Sequence, residues 1–467
     1  MFQQKIHKTE ECEVLVVGGG VAGISAAIGA ATAGANVMLA ESLGFLGGCA
    51  TAGLVAPFMT CYDRIGKTQL IRGIFKKFVD AMIAAGGAID PANCMDCGSH
   101  ASYKLLGHLG VTPFDTEVFK AVSESLCLNA GVKLRYHYHF VGTEKSDDRM
   151  VTSCIFATTD GLFRIRAKGI IDCTGNASVC VSAGGETFFS DEQGVLQPVT
   201  TFFQIDGVDK ARLDTLCLTT QNTPSADTTI SEIIAMEGRR AFTAEIKAGR
   251  KRGEFPCATN KVRAFEQMNG IWSINMCQID RSFNVIDPVL MTDAEIEGRQ
   301  QAWQIFRFLK VHIPGFENIR FLRSAETAGV RESRRIAGEY TLCLDDLLAS
   351  RQFKDRVVVL ANSIDVHTSG TTDYRPNTNN TPYSIPYRSL VHRDFDNVWS
   401  AGKTVSADRY AHGAVRVMPP SMAMGQAAGI AAAISARNGC VAKSVSYSTL
   451  KAELLRQGAY LPDEKIH

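Results

Sequence analysis

The sequence predicts an α/β protein: a discontinuous domain built on a parallel sheet, with a smaller α+β region inserted in it as a cap. Three observations carry this. A strand–glycine–helix–strand unit occupies residues 12–41. Two short apolar strands that run into glycine turns recur at 167–179 and 398–402. Between these segments lie stretches of helical pattern, such as "TQLIRGIFKKFVDAMIAAGG" and "TDAEIEGRQQAWQIFRFLKVHIPG". At 467 residues the chain exceeds what one compact core usually holds, so more than one domain is expected.

The first unit reads "CEVLVVGGGVAGISAAIGAATAGANVMLAE". Val14 to Val17 form a buried strand by composition, and Gly18, Gly20 and Gly23 give the spacing G-x-G-x-x-G. The first glycine permits the tight turn, the second lets a pyrophosphate approach the backbone, and the third lets helix and strand pack closely. Val21 and Ala22 open the helix between them. Glu41 ends the second strand where an acid accepts hydrogen bonds from a ribose, with Ser42 beside it. Together these elements predict a dinucleotide grip of the Rossmann type.

"ESLGFLGGCATAGL" then places a second glycine pair, Gly47 and Gly48, just past the acid. Here the sequence resembles the FAD-dependent oxidoreductases related in fold to the fumarate reductase and succinate dehydrogenase flavoproteins. The resemblance implies that the pair lies along the ribityl and phosphate portion of FAD, with Cys49 close to the flavin. Relatives that link flavin covalently often carry a His just before the glycine pair. "SLGFLGG" has none, so FAD is expected to be held non-covalently.

"AKGIIDCTGNASV" is similar to the family's strand-ending "ATGD", with Thr174 and Gly175 kept and Cys173 and Asn176 in place of Ala and Asp. "GVKLRYHYHFVGTEK" resembles the strand that lays a backbone edge, Phe140 and Val141, against adenine. Val398 to Ser400 read as a strand closed by Gly402, after which Lys403 stands where related flavoproteins often have an acid. In "PPSMAMGQAAGIAAA" the resemblance implies a helix whose N-terminus, at Ser421 and Met422, points at the N1–C2=O edge of the flavin. Its glycines and alanines suit close packing. The expected boundaries are 1–61, 113–204 and 321–467 for the FAD-binding domain, and 62–112 and 205–320 for inserted substrate or cap regions. Thr292, three residues before Glu295, reads as the N-cap of the second cap helix.

Net charge is +1, with 49 basic and 48 acidic residues, which removes the electrostatic case for a nucleic-acid binder. The apolar runs are too interrupted to span a bilayer. Fourteen cysteines without an export signal read as reduced thiols of a cytoplasmic protein. Flavin chemistry on carbon needs a group to orient a carboxylate or carbonyl and a group to carry a proton. Arg suits the first and His the second. The candidates are His412, Arg388, Arg331, Tyr387 and His367, with Arg334 and Arg416 beside them; Arg334 and Arg335 are expected rather to pair with nearby acids such as Glu332 and Glu339. "NCMDCGSH" holds Cys94, Cys97 and His100, read as loop thiols, a disulfide that takes electrons from flavin, or half of a metal site. No second Cys-x-x-Cys exists, and no metal is expected. The sequence thus predicts an FAD-dependent dehydrogenase or reductase exchanging a hydride with a small organic molecule, with an unidentified electron donor or acceptor. A flavin electron-transfer subunit and a non-redox flavin scaffold are the rival readings.

Overall fold

The computed structural model describes residues 5–94, 110–189, 196–213, 242–279, 285–368, 371–375 and 381–462. Strand β1 runs Ile6–Val17 and is longer than the four apolar residues that announce it. Only Val14 to Val17 are continuously buried. The polar first half persists because it pairs in parallel with β6 (Gly161–Asp172) from Ile6 opposite Leu162 to Val17 opposite Asp172. Helix α1 (Val21–Thr32) and strand β2 (Val37–Ala40) follow, and Val14 to Val17 lie in register with Val37 to Ala40.

Helix α2 (Ile74–Ala84) and helix α3 (Thr116–Asn129) come next. The region 62–112 was expected to belong to the cap, and α2 departs from that. Its apolar face, Ile74, Phe75, Phe78, Val79 and Met82, joins the same core as α1. Ile74 N–H also donates to the buried Gln426 side chain at 3.2 Å. The segment expected as one strand near adenine is two, β3 (Lys133–Arg135) and β4 (His139–Lys145), parted by a left-handed His137. With β5 (Val151–Thr158) they complete the sheet in the order β3-β2-β1-β6-β5-β4. Neighbours are parallel from β3 to β6 and antiparallel from β6 to β4.

The short helix α4 (Ser178–Ser182) leads to β7 (Thr187–Phe188). A second sheet follows, of β8 (Phe203–Asp206), β9 (Ala264–Glu266), β10 (Trp272–Ile274) and β11 (Arg320–Ser324), ordered β11-β8-β10-β9. With α5 (Thr243–Lys251) and α6 (Pro288–His312) it encloses its own core around Phe203, Trp272, Phe308 and Phe316. This α+β unit lies within the region expected as the cap. The N-cap of α6 is Asp287, not Thr292: Asp287 accepts from Val289 and Leu290 N–H at 2.8 and 3.2 Å. Asp followed by Pro288 is the stronger start signal, and Thr292 bonds back to the Pro288 carbonyl inside the helix.

Strand β12 (Arg335–Ile336) returns the chain to β7. Helix α7 (Leu344–Leu348) and strand β13 (Arg356–Leu360) follow, then the hairpin of β14 (Ile364–Thr368) and β15 (Thr371–Arg375). β16 (Tyr383–Pro386) pairs with β13, and β17 (Val398–Ser400) lies parallel to the end of β6. Helices α8 (Arg409–Val415), α9 (Met418–Asn438) and α10 (Tyr447–Arg456) complete the order. No described helix is long and apolar enough to cross a membrane.

Candidate cofactor and substrate site

Four backbone turns meet at the C-terminal ends of β1, β6 and β17. Gly18 has φ +101°, and a Cβ there would stand 2.4 Å from the Cys173 carbonyl oxygen, so the first and second glycine turns touch. Gly47 N–H donates to Gly19 O at 2.8 Å, which lays the glycine pair beside the first loop. A Cβ on Gly402 would meet Ala22 at 3.1 Å and Ser421 at 3.9 Å, joining the third turn to the first turns of α1 and α9. Asp172 organises the second turn. Its carboxylate is fully buried and accepts from Thr174 N–H and Oγ1 on one oxygen and from Val179 and Cys180 N–H on the other.

Beside this joint lies a cluster of cations. The Lys403 stem covers Gly175, and its ammonium donates to Val330 O at 2.9 Å. Burial pushes that amine below its ordinary range, countered by nearby Cys49 and reinforced by Arg416. Arg416, between α8 and α9, reaches the backbone and side chain of Asp365 at 3.2 and 3.7 Å. His367 Nε2 lies 3.3 Å from the same carboxylate. Burial, joined by Arg331 and Arg263, lowers the imidazole to about 4. Asp365 is held below the carboxylate range: burial opposes its charge, but His367, Arg416 and Arg263 outweigh it. Gln197 ties the group together, accepting from His367 N–H at 3.1 Å and from Arg416 at 3.4 Å. Its own N–H donates to Glu332, which forms a buried 2.7 Å ion pair with Arg335, the pairing the sequence suggested.

A family model described as "FAD dependent oxidoreductase" matches residues 13–454. The chain belongs to that family. It therefore takes FAD as cofactor and is an oxidoreductase. No curated protein matches it. Among solved structures, it is similar to a geranylgeranyl bacteriochlorophyll reductase-like protein from Thermoplasma acidophilum, at 13% identity and TM-score 0.45, over 97% of this chain and 85% of that one. It is also similar to p-nitrophenol 4-monooxygenase PnpA from Pseudomonas putida DLL-E4, at 12% identity and TM-score 0.46, over 96% and 85%.

The turns fit the cofactor of this oxidoreductase family. A Cβ on Gly20 would meet no atom within 4 Å, so open space lies where a pyrophosphate would pass the backbone. Val21, Ala22 and Gly23 begin α1 with no side-chain cap and no acid in the first turn, leaving N–H groups for an anion. Glu41 is 8% exposed, and its carboxylate accepts from Gly19 N–H (2.6 Å), Ser42 Oγ (2.9 Å) and Leu43 N–H (2.8 Å). These three bonds fix its carboxylate at the end of β2. Val141 is 55% exposed on β4, whose approach passes Glu41 through a Tyr138 N–H bond of 3.0 Å to its carbonyl. The N-terminus of α9 offers less than expected. Pro419 and Pro420 remove two N–H groups and Ser421 N–H already bonds Val417, so within the first turn Met418 alone has an N–H left to direct outward. Met422 is fully buried and Ser421 nearly so.

The catalytic candidates separate into two sets. His367 and Arg331 join the cation cluster; Arg331 also donates to Pro198 O at 2.6 Å. Arg388 stands elsewhere: its guanidinium grips Asp355 at 2.9 and 3.3 Å and lies over Tyr340, half exposed. Tyr387 is buried in the core, accepting from Trp399 Nε1 and donating to Ala442 O. His412 is fully buried, with Nε2 2.8 Å from Lys403 O. Burial, with Arg335 and Arg416 nearby, drives its imidazole well below the ordinary range, so it supports the Gly402 turn as a neutral ring. Cys49 is exposed beside Lys403. Cys94 is buried in a satellite core, while Cys97 and His100 lie outside the described residues. Among the described residues no His, Cys, Asp and Glu cluster is placed to hold a metal. Asp172 and Asp365 were missed although each binds a residue two positions on, Thr174 and His367; Gln197 and Arg263 had no sequence signal, since their partners lie far along the chain.

Proposed function

We propose that this oxidoreductase exchanges a hydride between its FAD and a small organic molecule bearing a carboxylate or polarised carbonyl, held at the Arg331–Arg416–His367 cluster. Bound FAD supplies two-electron chemistry. Gly18, Gly20, Gly23, Glu41, Gly47, Gly48, Thr174, Gly175 and Gly402 would hold it through backbone approach. The carrying observation is charge. Arg263 and Arg416 act on the Asp365 carboxylate, and Arg331 acts on the neighbouring His367, beside the glycine joint. Excess buried positive charge favours an anionic ligand, and guanidinium forks suit carboxylates. Two donors support this: Gln197 Nε2 is buried without a hydrogen-bond partner, and so is Arg416 Nε.

His367 is the proton carrier in this reading. Its Nε2 faces Asp365, an arrangement that orients the ring and stabilises the imidazolium when a proton arrives. Burial, joined by the surrounding guanidiniums, keeps it neutral before then. The proposed kinship with the fumarate reductase and succinate dehydrogenase flavoproteins rests on the glycine pair after Glu41 and the α9 helix.

The test is anaerobic stopped-flow absorbance of the flavin with small carboxylic acids and their amides. Acids should perturb or bleach the flavin and amides should not. Arg416→Gln should weaken the response by about 1.5–3 kcal/mol in affinity, a charge-assisted bond. His367→Gln should slow the reaction roughly a hundredfold or more while leaving FAD bound. Equal response to acids and amides would refute the anionic substrate.

A further inference from the structure

Helix α6 is 25 residues long and carries an apolar stripe on its exposed side. Val289, Ile296, Trp303 and Val311 are 68%, 48%, 48% and 73% exposed. At 100° per residue these four lie within about 80° of the helix circumference. Its other side, including Ala294, Gly298, Ala302, Ile305 and Phe308, is buried in the cap. Single exposed apolar side chains are ordinary, but an aligned stripe marks a contact surface. The helix is also polarised in charge. Asp293, Glu295 and Glu297 lie in its first half, with Arg299 at that half's end, and Arg307 and Lys310 lie in its second. Arg299 is spent on Glu295 within the helix, at 3.2 Å. Asp293 and Arg307 sit on the stripe roughly 21 Å apart by helix rise, out of reach of each other in one molecule.

We propose that α6 forms the interface of a two-fold dimer, packed antiparallel against α6 of a second copy with the axis beside Gln300. A two-fold contact must be self-complementary, and this helix is. Reversal about Gln300 sets Val289 against Val311 of the second copy and Asp293 against Arg307. Ile296 then falls beside Gln304 and Trp303 of the second copy. Each acidic half faces a basic half, whereas a parallel pairing would set like charges together. Trp303 is already held flat on Phe321, with centroids 4.2 Å apart, so it presents a rigid aromatic anchor.

Sedimentation velocity of the FAD-loaded full chain at micromolar concentration tests this. The expected particle has twice the 50.6 kDa chain mass. Asp293→Arg and Arg307→Asp should each weaken the dimer at least tenfold, because each puts like charges opposite one another. The double variant, with both charges exchanged, should recover most of the loss. Both residues are exposed, and retained FAD absorbance reports that the variants fold. A monomeric wild type overturns the proposal. So does a dimer indifferent to both single reversals, or a double variant no better than the singles.

Discussion

Gly20 and Gly23 stand in one turn, and a single added methyl would act oppositely at the two. At Gly20 it would point into empty space, whereas at Gly23 it would stand 1.9 Å from the Gly18 carbonyl oxygen. Gly20 has φ −66° and ψ 179°, which alanine adopts freely. Gly20→Ala should therefore fold with stability changed by less than about 0.5 kcal/mol, yet lose FAD affinity at least tenfold. Gly23→Ala should destabilise the apoprotein by about 1–3 kcal/mol through overpacking. Thermal melts of both apoproteins and FAD titration by fluorescence separate these effects. Tight FAD binding by Gly20→Ala would mean the cofactor takes another path. The Gly18 turn and the close packing at Gly23 were legible because the G-x-G-x-x-G pattern encodes them within six residues. His412 was not legible in that way. Its nearness in sequence to α9 says nothing about the ring's direction, and the ring turns inward to the Lys403 carbonyl. Arg388 was likewise a reasonable carboxylate fork whose partner, Asp355, lies 33 residues away.

At the scale of elements, the short side chains of α9 answer to α1. Cβ atoms on Gly425 and Gly429 would stand 2.1 and 2.0 Å from the Ala22 and Ala26 carbonyl oxygens, and one on Gly29 would stand 3.0 Å from Gln426 O. The two helices thus approach backbone to backbone, and that approach brings the start of α9 to Gly402 and Ala22. Gly425→Ala and Gly429→Ala should each cost about 1–3 kcal/mol. The pair should not be additive, because one outward shift of α9 relieves both clashes. Gly425→Ala should also reduce FAD occupancy, since its contact lies on the first turn of α1. Chemical denaturation with flavin release as a second probe checks both; wild-type stability in either variant would show that the helices can separate at no cost. The small-residue pattern made close packing legible from sequence. Its partner was not, because Ala22 and Ala26 contribute carbonyl oxygens that any residue would supply.

Among the described residues, three histidines around the site and sheet are held neutral chiefly by burial. His412 and His392 are fully buried. His392 stays below the ordinary range chiefly by burial, with Nε2 on Glu186 O at 3.0 Å and Nδ1 accepting Asp394 N–H at 3.1 Å. His367 lies near 4. All three are depressed below an unfolded value of about 6.5. Below that pH the unfolded chain binds protons that the folded chain refuses, so stability falls as pH falls. The loss begins near 6.5 and continues to about 4 for His367, and His392 and His412 add to it in the same direction. Each histidine adds a slope of up to about 1.4 kcal/mol per pH unit. The ionised Asp365 adds to the acid loss at lower pH, in the same direction. Melting temperature should therefore hold steady above pH 7 and drop steeply between pH 6.5 and 5. His412→Gln keeps a donor for Lys403 O but cannot titrate, so its acid limb should be shallower by one proton. Melts of FAD-loaded wild type and variant across pH 5 to 8 decide this. Parallel acid limbs would mean that His412 takes up its proton without unfolding, and that its burial is relieved by local opening of the Gly402 turn.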